Sequence, residues 1–145
     1  MTLSASTPAG TPVTPIGVVD GSLYQPGVCN IGPAEIARRR RGGIVAGLIA
    51  IVVLAALVWF QVPPIFRLLV ALPAAASASG FLQAYFKFCA GFASKGVFNF
   101  GVLGRLEQVA DAADHARDRA RANQILLGSL AIGLLAGVGA VVLPL

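Results

Sequence analysis

The chain has 145 residues and a net charge of +5, from 11 Lys and Arg against 6 Asp and Glu. Apolar residues make up 57% and charged residues 12%, where soluble domains average roughly 45–50% and 25%, so too few charges are present to cover a water-soluble fold. No charged side chain occurs from Gly42 to Phe66, from Leu68 to Phe86 or from Ala122 to Leu145, and each stretch is near the ~20 residues a helix needs to cross hydrocarbon. The composition therefore predicts an all-α membrane protein with three transmembrane helices.

Residues 1–33 are rich in Thr, Ser, Pro, Gly and Ala, with Pro8, Pro12, Pro15, Pro26 and Pro33 interrupting any helix and Asp20 the only charge. Such a segment buries too little apolar surface to offset its ordering entropy. It reads as a disordered cytoplasmic tail, more ordered from Val28 on. It holds no long apolar run, so it is not expected to be a cleavable signal peptide. Residues 34–145 form the predicted membrane domain. Pro33 suits a first helical turn, and Glu35 suits the positive end of that helix.

Arg38, Arg39, Arg40 and Arg41 stand directly before the first span, at about 43–62. Four arginines there favour the cytoplasmic side and can meet lipid headgroups. Trp59 and Phe60 anchor the far interface, and Pro63-Pro64 ends the span in a tight turn. The second span, about 65–88, carries Arg67, expected to snorkel outward, and Pro73, expected to kink it. A cytoplasmic connection follows over 89–124: a Gly- and Phe-rich interfacial segment, then an amphipathic helix from about Gly104 to Asn123 before the third span. The third span covers about 125–143. Ten of the eleven Lys and Arg residues fall on the predicted cytoplasmic side, with Arg67 the exception. This predicts a cytoplasmic (inner) membrane protein with its amino terminus inside and its carboxyl terminus outside. The second span is the least hydrophobic, and losing it would bring the carboxyl terminus inside.

Lipid is as apolar as leucine, so membrane helices associate through close packing of small residues and through hydrogen bonds. Gly43 and Gly47 offer such a stripe on the first helix, Ala76, Gly80 and Ala84 on the second, and Ser129, Gly133 and Gly137 on the third. Their partners could lie in the chain, in a second copy or in another membrane protein. Gln83, Lys87 and Ser77 mark the second helix as the main contact face, or as one side of a polar path.

Glu107, Asp111, Asp114 and Asp118 fall on one face of the predicted amphipathic helix, flanked by Arg117 and Arg121. This is read first as a solvated face and second as a stripe for divalent cations or a partner. His115, the single histidine, is placed to pair with Asp111. Cys29 and Cys89 both fall on the cytoplasmic side. Either they are ordinary small hydrophobes, or they form a redox pair or bind a soft metal together with His115.

Cys29-Asn30-Ile31-Gly32-Pro33 with Glu35 and the arginines, then Gly80-Phe81-Leu82-Gln83-Ala84, Phe88-Cys89 and Val97-Phe98-Asn99, resembles a family of small, uncharacterised bacterial multi-pass membrane proteins over about residues 28–101. The resemblance implies a bacterial inner-membrane setting and a role for both cysteines, and it implies no activity.

The sequence holds no phosphate-binding loop, no dinucleotide fingerprint and no nucleophile elbow. No catalytic residue is assigned and no cofactor is expected beyond that soft metal. The basic charge flanks apolar spans, so no nucleic acid partner is expected. The leading expectation is a non-enzymatic accessory or assembly subunit, or a homo-oligomer, packed through small-residue faces among membrane lipids. The alternative is a membrane thiol protein using Cys29 and Cys89.

Overall fold

A computed structural model describes residues 23–144. It is mostly helical, with three helices long and apolar enough to cross a membrane. The first helix, α1 (Pro33–Trp59), begins nine residues before the charge-free stretch, so the four arginines are helical. A 3₁₀ segment, Pro64–Val70, runs directly into α2 (Ala71–Tyr85), and the two together form the 22-residue second span. A short helix, α3 (Ala90–Lys95), and a two-residue hairpin of β1 (Val97–Phe98) and β2 (Glu107–Gln108) then lead to α4 (Ala112–Val142).

Several expectations need correction. The strand pair makes the chain not wholly α-helical. The amphipathic helix and the third span are one continuous 31-residue helix beginning at Ala112, because Asp111 caps it there by accepting the Ala113 N–H at 2.7 Å. The second helix ends at Tyr85, three residues short of the expected end. Pro73 lies just past the point where the 3₁₀ turns of this span give way to α-helix. It falls in the first turn of α2, where its missing N–H is not required.

The predicted tail falls largely on residues 1–22, outside those described, but from Leu23 on the chain is built into the fold. Gln25-Pro26-Gly27-Val28 forms a tight turn closed by Val28 N–H to Gln25 O at 3.0 Å, with Gly27 at φ +69°. Pro at the second position and Gly at positive φ in the third are what a type II turn requires.

The three long helices pack antiparallel in sequence order, with α2 between α1 and α4. The small residues set the closeness of both contacts. A Cβ on Gly80 would lie 2.6 Å from the backbone of Gly43, and one on Gly47 would lie 3.0 Å from Ser77 Oγ. Ser77 donates across this contact to Gly43 O at 2.8 Å. On the other side, Gly133 meets Ala71 and Ala75, and Gly137 meets Ala71. Ala84 and Ser129 are buried, and Ser129 donates to Ile125 O in its own helix. Gly43, Gly47, Gly80, Gly133 and Gly137 thus each lie against a neighbouring helix, with Ala71 and Ala75, outside the predicted stripe, as the contacts of the last two.

The outward faces are large and apolar. Ile44, Leu48, Ile51 and Val52 on α1 are exposed, as are Leu127, Leu134 and Leu135 on α4. Only 6% of the apolar window of α1 is buried. A soluble monomer rarely exposes so large an apolar belt. Arg67 sits at the Trp59 end. It does not snorkel outward but is buried, donating to Ala140 O at 3.4 Å and Leu143 O at 3.1 Å. The carbonyls at the end of α4 have no partner within the helix, and a cation there also meets the negative end of its dipole.

Candidate functional site

At the arginine end, residues 23–32, α3, the hairpin and the first turns of α1 and α4 close into a cap. It concentrates the buried polar side chains: Asn30, Glu35, Asn99 and Asp118 are all at most 1% exposed. Polar groups this deep require partners, and these largely have them.

Asn30 is the centre of the cap. Its Nδ2 donates to Cys89 O at 3.1 Å, and its Oδ1 accepts the Cys89 N–H at 2.6 Å. Its backbone N–H donates to Lys87 O and its carbonyl accepts the Asn99 N–H. One asparagine thus ties the segment before α1 to the segment after α2. Gly32 N–H donates to Asn99 O at 2.8 Å, and a Cβ on Gly32 would lie 2.9 Å from the Phe100 backbone. Only glycine allows the two chains to approach this closely. Asn99 in turn accepts the Gly101 N–H and donates to Val102 O.

Asp118 holds the other side. It accepts Tyr24 Oη and the Gly27 N–H, both at 2.7 Å, while the Tyr24 ring stacks on Phe98 at 4.7 Å. Burial pushes the Tyr24 phenol well above its ordinary range, and the hydrogen bond to Asp118 and the charges of Asp118 and Asp114 add to the rise.

The acidic stripe is not one face. Glu107 lies in β2, Asp111 caps α4, Asp114 pairs with Arg117 at 3.4 Å, and Asp118 is buried. His115 does not pair with the Asp111 carboxylate, which is used in capping; its ring lies against Gly96. No three His, Cys, Asp or Glu side chains converge on a metal site among the described residues.

The arginine run also divides. Arg38, Arg40 and Arg41 are exposed, and Arg38 lies 3.8 Å from Glu35. Arg39 turns into the cap, 3.8 Å from Glu35 and 2.9 Å from Cys89 Sγ, with its guanidinium 5.7 Å from the Phe92 ring centre. Both cysteines belong to this cap and both are free thiols. Cys89 is buried, and Cys29, half-buried, follows a tight turn and precedes the asparagine that grips Cys89.

Gln83, read as a contact or path residue, is also structural: its Nε2 donates to Ser79 Oγ at 2.8 Å and its Oε1 accepts the Ala90 N–H at 3.2 Å. The arrangement is thus a set of clamps, in which side-chain amides and carboxylates bond to backbone far away in sequence. Sequence reasoning missed Asn30, Asn99 and Tyr24 as structural centres. The Pro26-Gly27 pair was the available signal that residues before 33 turn back into the fold.

No family model, no curated protein and no solved structure matches this chain. The family resemblance therefore gains no support, and function rests on geometry alone.

Proposed function

We propose that the chain is a non-enzymatic, multi-pass protein of the bacterial inner membrane, amino terminus inside and carboxyl terminus outside, acting as an accessory or assembly subunit or as a homo-oligomer. The observation that carries this reading is the use made of its buried polar groups. Asn30, Asn99, Asp118 and Gln83 bond to the protein's own backbone and side chains. The apolar belt supports the membrane setting, and the arginine run supports the orientation.

With Gly43 and Gly47 against the second helix and Gly133 and Gly137 against its other side, contacts with a second copy or another membrane protein would fall to the outer belt and the exposed surface of the cap. Purification in mild detergent should give a particle of defined stoichiometry larger than one chain. A monodisperse single chain with no companion would count against the reading. A reporter fused to the carboxyl terminus should be active only outside the cytoplasm.

The thiol reading draws on one contact, the 2.9 Å approach of Arg39 to Cys89 Sγ. Thiol labelling in intact membranes separates the two readings: a rapidly modified Cys89 favours redox chemistry, and an inert one favours a structural thiol.

A further inference from the structure

A cleft of about 560 Å³ opens at the arginine end, between the turn preceding α1 and the C-terminal turn of α2. This is within the range of about 300–1,000 Å³ usual for small-molecule sites. Two cations line it, Lys87 and Arg121, and no carboxylate does. Much of the remaining wall is apolar, including Val28, Ile36 and Phe100. The Lys87 ammonium has no hydrogen bond or ion pair among the described residues. Arg121 lies over the Phe86 ring at 4.3 Å and donates to Gln124 at 3.1 Å, while its Nε has no partner.

Lys87 stands where a glycine is expected. Lys87 N–H bonds to Ala84 O and Phe88 N–H to Gln83 O, which together make a Schellman ending for α2. The residue at its turn has φ +53°. Glycine is the usual occupant because it has no side chain to strain. Here the strained position carries a lysine and directs it to the cleft.

Depth is the second consideration. Arg121 precedes the first exposed leucine of α4, Leu126, by five residues, or about 7 Å along the helix. In a membrane this places the cations at headgroup level, next to the apolar belt.

From these features the geometry points to a binding site for one anionic glycerophospholipid, its phosphate held by Lys87 and Arg121 and its glycerol and first acyl carbons lying along Ile36 and Phe100. The cleft is too small for two acyl chains, which remain in the bilayer. A free phosphate would satisfy the cations but leave the apolar wall uncovered. This site is separate from the exposed arginines of α1, and it does not depend on whether the protein assembles with others.

The test is native mass spectrometry of the purified full chain in detergent with equal amounts of phosphatidylglycerol and phosphatidylcholine. One phosphatidylglycerol should be retained in preference. Each cation at a lipid phosphate contributes about fivefold, so Lys87→Gly and Arg121→Gln should each lower retention by about that factor, and the double variant should abolish the preference. Lys87→Gly should leave the thermal transition unchanged or raise it, so lost retention would not reflect unfolding. Arg41→Gln, outside the cleft, should retain the lipid as the parent does. Equal retention of both lipids, retention unaffected by Lys87→Gly, or displacement of the lipid by millimolar inorganic phosphate would each overturn the assignment.

Discussion

Replacing Gly80 with alanine should push α1 and α2 apart and destabilise the bundle by about 1–3 kcal/mol, the usual range for overpacking a tight contact. The added Cβ would lie 2.6 Å from both Cα and N of Gly43 and 2.8 Å from Arg39 O. These are backbone atoms and cannot rotate away. Carbon atoms rest at about 3.5–4.0 Å, so the helices must separate by about 1 Å at the crossing. That movement stretches the 2.8 Å bond from Ser77 to Gly43 O, an interhelical bond of a kind worth about 0.6 kcal/mol on average in membranes. Alanine also gains up to about 1 kcal/mol of helix propensity over glycine, which offsets part of the loss. Gly42 supplies the control: a Cβ there meets nothing within 4 Å, so Gly42→Ala keeps the propensity gain and loses no contact. Gly133 and Gly139 form a second such pair on α4, the first against Ala71 and Ala75 and the second open. Thermal or dodecyl sulfate unfolding followed by helicity should rank Gly80→Ala and Gly133→Ala below the parent, with Gly42→Ala and Gly139→Ala level with it or above. Four indistinguishable transitions would refute the claim that backbone contact at these glycines holds the bundle.

Asn30→Ala should cost about 1–3 kcal/mol, since it leaves the buried Cys89 N–H without its acceptor while Cys89 O keeps the Ala93 N–H, and maleimide labelling of Cys89 should accelerate in the same variant. Lys87→Gly should stabilise by about 1 kcal/mol in thermal unfolding, because it relieves a left-handed conformation that disfavours any side chain. Arg67→Met should release the end of α4, cost about 1–3 kcal/mol, and raise amide exchange near Leu143, whose carbonyl Arg67 now holds. The Tyr24 phenol titrates above its unfolded value, so the stability it contributes is complete below about pH 10 and declines as pH rises through the folded pKa. An ultraviolet titration of the parent should therefore show a late-ionising phenol that is missing from Tyr24→Phe.

The sequence revealed the three long apolar helices because their signal is local: a run without charge, long enough to cross hydrocarbon, needs no knowledge of the rest of the chain. The glycine and alanine stripes were visible for the same reason, since small residues at a spacing of four mark one side of a helix wherever they occur. Their partners were not visible, because Gly80 against Gly43 and Gly133 against Ala75 are pairings of one helix with another. The boundaries failed where a rule was applied without its position. Pro73 reads as a kink inside a helix running from residue 65. The span does run from Pro64 to Tyr85, but its first seven residues are 3₁₀ and the α-helix begins only two residues before the proline. Likewise, four carboxylates at helical spacing suggest one acidic face only if the helix already exists at Glu107. Asp111 is a capping residue by type, and with the helix starting after it, the four are divided among a strand, a cap, an exposed ion pair and a buried clamp.

The cap was hidden for a different reason. Its organising bonds join Asn30 to Cys89, Gly32 to Asn99, and Tyr24 and Gly27 to Asp118, separations that no periodicity encodes. Composition even argued the other way, because a segment rich in proline, glycine and small polar residues resembles one that cannot fold. That inference assumes the segment must bury its own apolar surface to be ordered. Residues 23–32 instead bury Ile31 and pack the Tyr24 ring against the rest of the fold, and they offer backbone and side-chain hydrogen bonds to chain ends that need them. The chain leaving α2, the segment after β1 and the first turns of α4 all bring polar groups into a region screened from water, where each unpaired group is costly. A short segment that supplies the missing donors and acceptors removes that cost. Its amide side chain, Asn30, is thereby committed to holding the fold, whereas Lys87 and Arg121 stand outside these clamps and line the cleft.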